Sequence, residues 1–409
     1  MSKIPSIAMI PSAYKSGKVY SVLPTDGSGD LNFARASEAT RVNKDGLIET
    51  VGSNVPRIDY TDGGCPKLLL EPQSTNLITY SEAFDNAYWI KTRSSITSNS
   101  VTAPNGTLTA YKLVDNTVDD VHRIISTGFS TTSVNYTASI FVKKDEIKYA
   151  YLRVNDSGGT YISGTFDLQD GIVTQEENGD LSIENFGNGW YRIIGTATSN
   201  ANGLSYLELR TSKTPIYSNY IGNGSDGLYI WGAQLEQGSY ATSYIPTSGS
   251  AVTRLADVCN NGGNEQVINS TEGVLYFEGS ALADGSVDKR IYIDDGTMNN
   301  YVAIGYSRFA GNIISEIISG GVLQTVNWGA TGVNQTNNNK FALSWGSGTM
   351  KFYVNGTQTN TESVTSPTGL NVLEFNTSIN TLFMEANVKD VRVYNTTLTD
   401  AELQALTQV

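Results

Sequence analysis

The chain is poor in the residues that most enzymes and metal sites depend on. Its 409 residues include one histidine, His122, and two cysteines, Cys65 and Cys259. A single histidine excludes any zinc site built from several imidazoles. Cys65 and Cys259 flank the middle of the chain and are read as two free thiols in a reducing compartment; a disulfide closing the whole middle region is the alternative. Charge is sparse and lopsided, at 16% Asp, Glu, Lys and Arg with a net −13. That balance argues against nucleic acid and anionic membrane surfaces, both of which reward clustered Lys and Arg. Apolar residues never run together for the roughly 18 positions a membrane helix needs. Pro5 and Pro11 interrupt the N-terminal apolar residues, so no secretory signal is expected.

Gly (40), Tyr (23) and abundant uncharged polar residues remain. They cover a pleated surface without favouring helices, and leucine heptads are absent, so the class is all-β. At this length two or three domains are expected.

Residues 1–70 alternate short apolar pieces with turns such as Thr25-Asp-Gly and Lys44-Asp-Gly. None of these pieces is long enough to bury a large face, so the segment needs a partner surface, its own neighbouring domain or another protein. From 71 to about 247, strand candidates at 110–114, 136–143, 149–154, 164–167, 190–197 and 206–210 are separated by Gly-, Asp- and Asn-rich turns. That spacing reads as a sandwich or jelly roll. The closing strand alternates, and Tyr229, Trp231 and Leu235 are expected to point together into a core. Residues 251–270 read as a linker. A second β-domain, 271–409, contains a Lys351-Phe-Tyr-Val-Asn-Gly hairpin and the strand Val388-Lys-Asp-Val-Arg-Val-Tyr. One helix follows, capped by Thr399 with Glu402 three positions on.

Several stretches carry a resemblance. Ile10-Pro-Ser-Ala-Tyr-Lys-Ser-Gly-Lys-Val-Tyr, Phe33-Ala-Arg-Ala-Ser, Val55-Pro-Arg-Ile-Asp-Tyr and Cys65-Pro-Lys-Leu-Leu-Leu-Glu-Pro are similar to the leader of bacteriophage head-spike and fibre proteins. Trp231-Gly-Ala-Gln-Leu-Glu and Ala241-Thr-Ser-Tyr-Ile-Pro-Thr resemble the closing strand and exit of the carbohydrate-binding-module-like jelly rolls in those proteins. The last 140 or so residues resemble concanavalin-A-like/laminin-G domains. The resemblance implies two tandem sandwiches behind an extended N-terminal anchoring segment, with Ile10, Tyr14, Tyr20 and Leu23 as anchoring residues. It also implies a virion protein assembled in the host cytoplasm, with capsid or neck partners, a homotrimer and host surface glycans as ligands. A tail fibre recognising host polysaccharide is the second reading. A capsule depolymerase comes next, and a surface adhesin would need an export signal.

Catalysis is not expected. His122, beside Asp119 and Asp120, lacks a nucleophile motif and reads as a surface or loop residue. Glu176-Glu177 and Asp294-Asp295 are adjacent, so on a strand they point to opposite faces, unlike the paired carboxylates of glycosidases. Leu207-Glu-Leu-Arg210 reads as an ordinary strand. No cofactor is expected; Asp294 and Asp295, with Asn299 and Asn300, form an oxygen-rich turn that could suit Ca²⁺ or simply be a solvated hairpin tip. For sugar stacking, Trp89, Tyr217 and Tyr220 are the aromatic candidates, while Trp190, Trp231, Trp345 and Phe352 read as core.

Overall fold

A computed structural model describes residues 3–61, 63–285, 287–327, 332–375 and 384–409. It is all-β, with one helix among the described residues. The chain divides into two compact units, and neither is continuous in sequence. The first comprises Met1–Glu38, Val51–Gln73 and Leu255–Val409; the second comprises Ala39–Thr50 and Ser74–Arg254. The segment 1–70 is therefore not a stretch apart, and its strands are shared out between the units.

In the first unit, the strand Ala386–Tyr394 explains why. Gly273–Ala281 pairs along one of its edges. Its other edge is covered by Ile7–Met9, with Ile7 opposite Val393, and by Lys67–Leu70, with Leu70 opposite Ala386. Without those N-terminal residues a long apolar strand would present a naked edge, the arrangement that invites aggregation. Ile7, Met9 and Leu68 are fully buried in the same core as Phe277, Phe341 and Val391. The partner surface that the leader needs is its own chain.

The charged residues of the leader motifs meet at one point of this unit. Arg35 Nη1 donates to Asp257 Oδ1 at 2.9 Å, and Arg57 donates to both Asp257 and Glu71. All four side chains are at most 4% exposed. Burial alone would lower the Arg57 pKa, but Asp257 and Glu71 outweigh it and drive it above its ordinary value. Glu71 N also donates to Asp257, which fastens the backbone of one segment to the side chain of another. Beside the eight-stranded sheet, the same core includes a five-stranded one, ordered Val322–Asn327, Ile313–Ser319, Tyr301–Tyr306, Lys289–Asp294, Val372–Glu374. The helix Asp400–Thr407 carries the expected capping box, and Asn355 and Gly356 take the positive φ of the predicted hairpin turn. Neither Cys65, which is exposed, nor Cys259, which is buried, is joined in a disulfide.

The second unit is a sandwich of a six-stranded and a seven-stranded sheet. The six expected strands are present as Ala110–Asp115, Asn135–Lys144, Tyr149–Asp156, Gly159–Asp167, Trp190–Thr198 and Gly203–Ser212. The closing strand Gly227–Gln237 departs from simple alternation. Gly232 has φ +59° and the pairing with Asn135–Lys144 slips there. The bulge switches parity. Leu228 and Ile230 before it, and Ala233 and Leu235 after it, all enter the main core. Trp231 turns the other way, with Phe141, Trp190 and Tyr244, beneath the hairpin Ala39–Val42/Ile48–Val51. Tyr229, Trp231 and Leu235 thus do not share one core, because an L-residue alternation cannot run straight through that glycine.

Two polar residues of the closing strand are clasps. Gln234 Oε1 accepts from Ile245 N at 2.7 Å, and Glu236 accepts from Gln234, Thr242 and Ser74. They tie the exit at 242–245 and the entry strand Ser74–Asn76 to the sheet edge.

Candidate functional site

A site on a sandwich needs side chains on the face turned away from the core. In the seven-stranded sheet, Leu207 and Leu209 face inward beside Leu152 and Val154. Period-two alternation then sends Glu208, Arg210, Tyr151 and Arg153 outward. Register aligns them into two rows. One runs Arg123, Arg210, Tyr151, Thr165, Gln175; the other runs Ile125, Glu208, Arg153, Ser163.

Glu208 organises the face. It is 1% exposed and receives Arg210 Nε at 2.6 Å, Arg123 Nη1 at 2.7 Å and Arg153 Nη1 at 3.5 Å. Burial would raise its carboxyl, but the hydrogen bond and charge of Arg210, then those of Arg123, hold it below the usual glutamate range. The arginines stay partly open, with side chains 28%, 30% and 13% exposed for Arg123, Arg153 and Arg210. Arg153 is braced from behind by Thr160 Oγ1, to which Nε and Nη2 both donate.

Tyr217 lies on this face. Its ring stacks on Tyr151, with centroids 4.4 Å apart and planes 31° apart, and the Arg210 guanidinium is 4.8 Å from its centroid. The loop bearing it is pinned to the sheet: Tyr217 N donates to Gln175 Oε1 and Thr174 Oγ1 donates to Pro215 O. Tyr151 OH donates to Glu177 at 2.7 Å; burial and that carboxylate push its pKa up to about 12. Aromatic rings, planar donors and amides on one rigid sheet are the groups that hold a sugar.

The other expected residues lie elsewhere. Trp89 is 1% exposed, packed on Phe84 and Tyr88, with its indole N–H donated to Tyr80 O. It offers no platform, because its strand pairs with Arg123–Ser126 and turns the ring inward. Tyr220 packs against the core edge, its OH bonded to Thr211 Oγ1 and its ring 4.6 Å from His122. His122 is fully buried, not on the surface, with its ring nitrogens against Arg93 O and Tyr220 O. Of the N-terminal residues, Ile10 is 40% exposed, whereas Tyr14, Tyr20 and Leu23 are half-buried within the first unit.

Asp294 and Asp295 do not share a ligand position. Asp295 is consumed by its turn, accepting from Thr297 and Asn300. Asp294 faces away from the first unit's core, on the five-stranded sheet, with Tyr292, Tyr301, Glu316 and Glu374. Among the described residues no group of three or more His, Cys, Asp or Glu could hold a metal. This acidic face is closed: Asp294 is 1%, Tyr292 0% and Glu374 7% exposed. Burial, and less strongly Asp295, push Asp294 up to about 6; burial, then the Asp294 charge, push Glu374 to about 7.

No family model and no curated protein matches the chain. Among solved structures, a CBM40 module of a Ruminococcus gnavus IT-sialidase, bound to α2,3 sialyllactose, is 18% identical; the match covers 36% of this chain and 92% of that one at a TM-score of 0.31. Domains LG4-5 of the mouse laminin α1 chain are 9% identical, covering 68% and 85% at 0.23. A tail fibre protein of an E. coli phage is 11% identical, covering 78% of this chain but only 40% of that one at 0.25. All three likenesses are too loose to carry a functional argument.

Proposed function

We propose that this chain is a bacteriophage virion fibre or spike protein that holds host-surface glycans on the outward face of the seven-stranded sheet. The observation that carries the binding reading is the Tyr217–Tyr151–Arg210 stack beside three arginines gathered on buried Glu208. The virion reading rests on the leader and closing-strand motifs, and a trimer is part of the same proposal. Copies repeated on one particle turn weak sugar sites into useful avidity.

Attachment to the head, in this reading, uses a folded surface of the first unit. Ile4, Ile10 and Val22 are 78%, 40% and 48% exposed there and form its apolar contact points. The test is co-sedimentation with purified phage heads of the intact chain and of an Ile10→Asp/Val22→Asp variant. Pelleting of the intact chain alone supports head attachment. If neither pellets, while both bind host cells, the chain is a tail fibre.

A further inference from the structure

The glycan reading leaves open what kind of sugar the face selects, and its charge answers that. The protein as a whole is strongly acidic, at −13. On this face, however, three guanidiniums surround one carboxylate. Glu208 is the charge that faces them. Glu177 lies across Tyr151 and accepts from the Tyr151 hydroxyl, Ser163 and Gln175. Asp167, further along the sheet, pairs with Lys148, and Asp120 pairs with Arg93. The arginine cluster therefore keeps net positive charge.

Two further features point to a surface suited to an anion. Glu208 is buried and the arginines are not, so the carboxylate fixes their positions from beneath while part of each guanidinium stays in water. All three cations are arginine, whose planar fork matches carboxylate and phosphate geometry in a way lysine does not. Screening makes the local cluster, not the distant net charge, decide: at physiological salt, interactions fade over about 8 Å.

We infer that the Arg123–Arg153–Arg210 face, with Tyr217 as its stacking ring, binds a saccharide carrying an anionic group, a carboxylate or a phosphodiester. The inference rests on the glycan reading above and narrows it. A sugar ring lies against Tyr217 while its anionic substituent meets the guanidinium edges of Arg153 and Arg123. Neutral sugars lack the second contact.

The test is calorimetric titration of the intact chain with three probes: hexagalacturonate, a phosphodiester-linked poly(N-acetylglucosamine 1-phosphate), and carboxyl-reduced hexagalacturonate. One anionic probe is expected to bind at least about tenfold tighter than the neutral one, with affinity falling steeply between about 50 and about 500 mM NaCl. Arg123→Gln/Arg153→Gln should lose that preference while staying folded, its melting temperature lowered by a few degrees because buried Glu208 keeps only Arg210, and Arg153→Lys should recover only part of that preference. Equal binding of the neutral probe, abolished by Tyr217→Ala, overturns the inference and leaves the glycan reading standing. Anionic binding unaffected by the double variant overturns the inference as well. If no probe binds, the inference falls, and binding of host-cell polysaccharide then decides the glycan reading separately.

Discussion

The outward faces of the five-stranded and the seven-stranded sheet are built alike but charged oppositely. On the five-stranded sheet, Asp294, Glu316 and Glu374 crowd around Tyr292 and Tyr301, with Arg290 spent on Glu316 and Asp288. Every one of these side chains is buried, and Tyr292 OH and Asp294 Oδ2 have no partner among the described residues. On the seven-stranded sheet the ratio is reversed: one buried carboxylate serves three partly exposed arginines. The first face has an excess of desolvated acid, and burial with neighbouring charge drives Asp294 and Glu374 towards the neutral form. The second has an excess of solvated cation, which a ligand can reach. Charge type matters less than which sign is left over and whether water touches it.

The largest predicted effect tests the frame that holds the closed face. Deleting residues 1–12 removes Ile7 and Met9 from the core and bares one end of Ala386–Tyr394. Each large buried side chain lost costs about 2–5 kcal/mol, so the first unit should fail to fold, read as loss of one calorimetric transition. Next is Asp257→Ala, which leaves Arg35 and Arg57 buried without their shared carboxylate; a loss of about 3–5 kcal/mol is expected by denaturant titration. Glu208→Ala, the matching change on the open face, should cost about 1–2 kcal/mol, because its arginines can turn to water.

The closed face also predicts a pH dependence with a definite sign. Asp294 and Glu374 have folded pKa values of about 6 and about 7, above their ordinary ones. Their contribution to stability is therefore fully present below about pH 4 and lost as pH rises through 6 to 7, by up to about 2 kcal/mol each. Asp294→Asn/Glu374→Gln should flatten that decline, so the variant gains on the wild type as pH rises from about 4 to about 7. Thermal melts at both pH values check it. The smallest stability effect is Tyr217→Ala, expected within about 1 kcal/mol because the ring is half-exposed.

Much of this was readable from the sequence alone. The all-β class, the six central strands of the second unit, the Asn355-Gly356 hairpin and the capped helix all follow from local pattern, and all are present. The strands Ser94–Val101 and Asp180–Asn185 bury little, and their few apolar residues, Ile96 and Val101 in the first and Leu181 and Ile183 in the second, are too sparse to mark a strand on their own. What local pattern cannot supply is register. Leu207-Glu-Leu-Arg210 and Tyr151-Leu-Arg153 are each plain alternation, and only pairing sets Glu208 opposite Arg153 and Arg210 opposite Tyr151. For the same reason Tyr217 was legible as an aromatic on a loop, but not its stacking partners. Trp89 and Tyr220 looked equally suitable because sequence does not report which way a ring near a strand end turns. The leader motifs were legible as motifs, and their physical role, four charges from four segments meeting at Asp257, required the fold.

The central claim is that the open arginine face, and not the closed acidic one, holds the glycan. Retention of the intact chain on immobilised host-surface polysaccharide tests it most directly. Tyr217→Ala and Arg123→Gln/Arg153→Gln should each abolish retention, while Asp294→Asn/Glu374→Gln is retained like the wild type. Retention that survives the first two variants and disappears with the third would contradict the account.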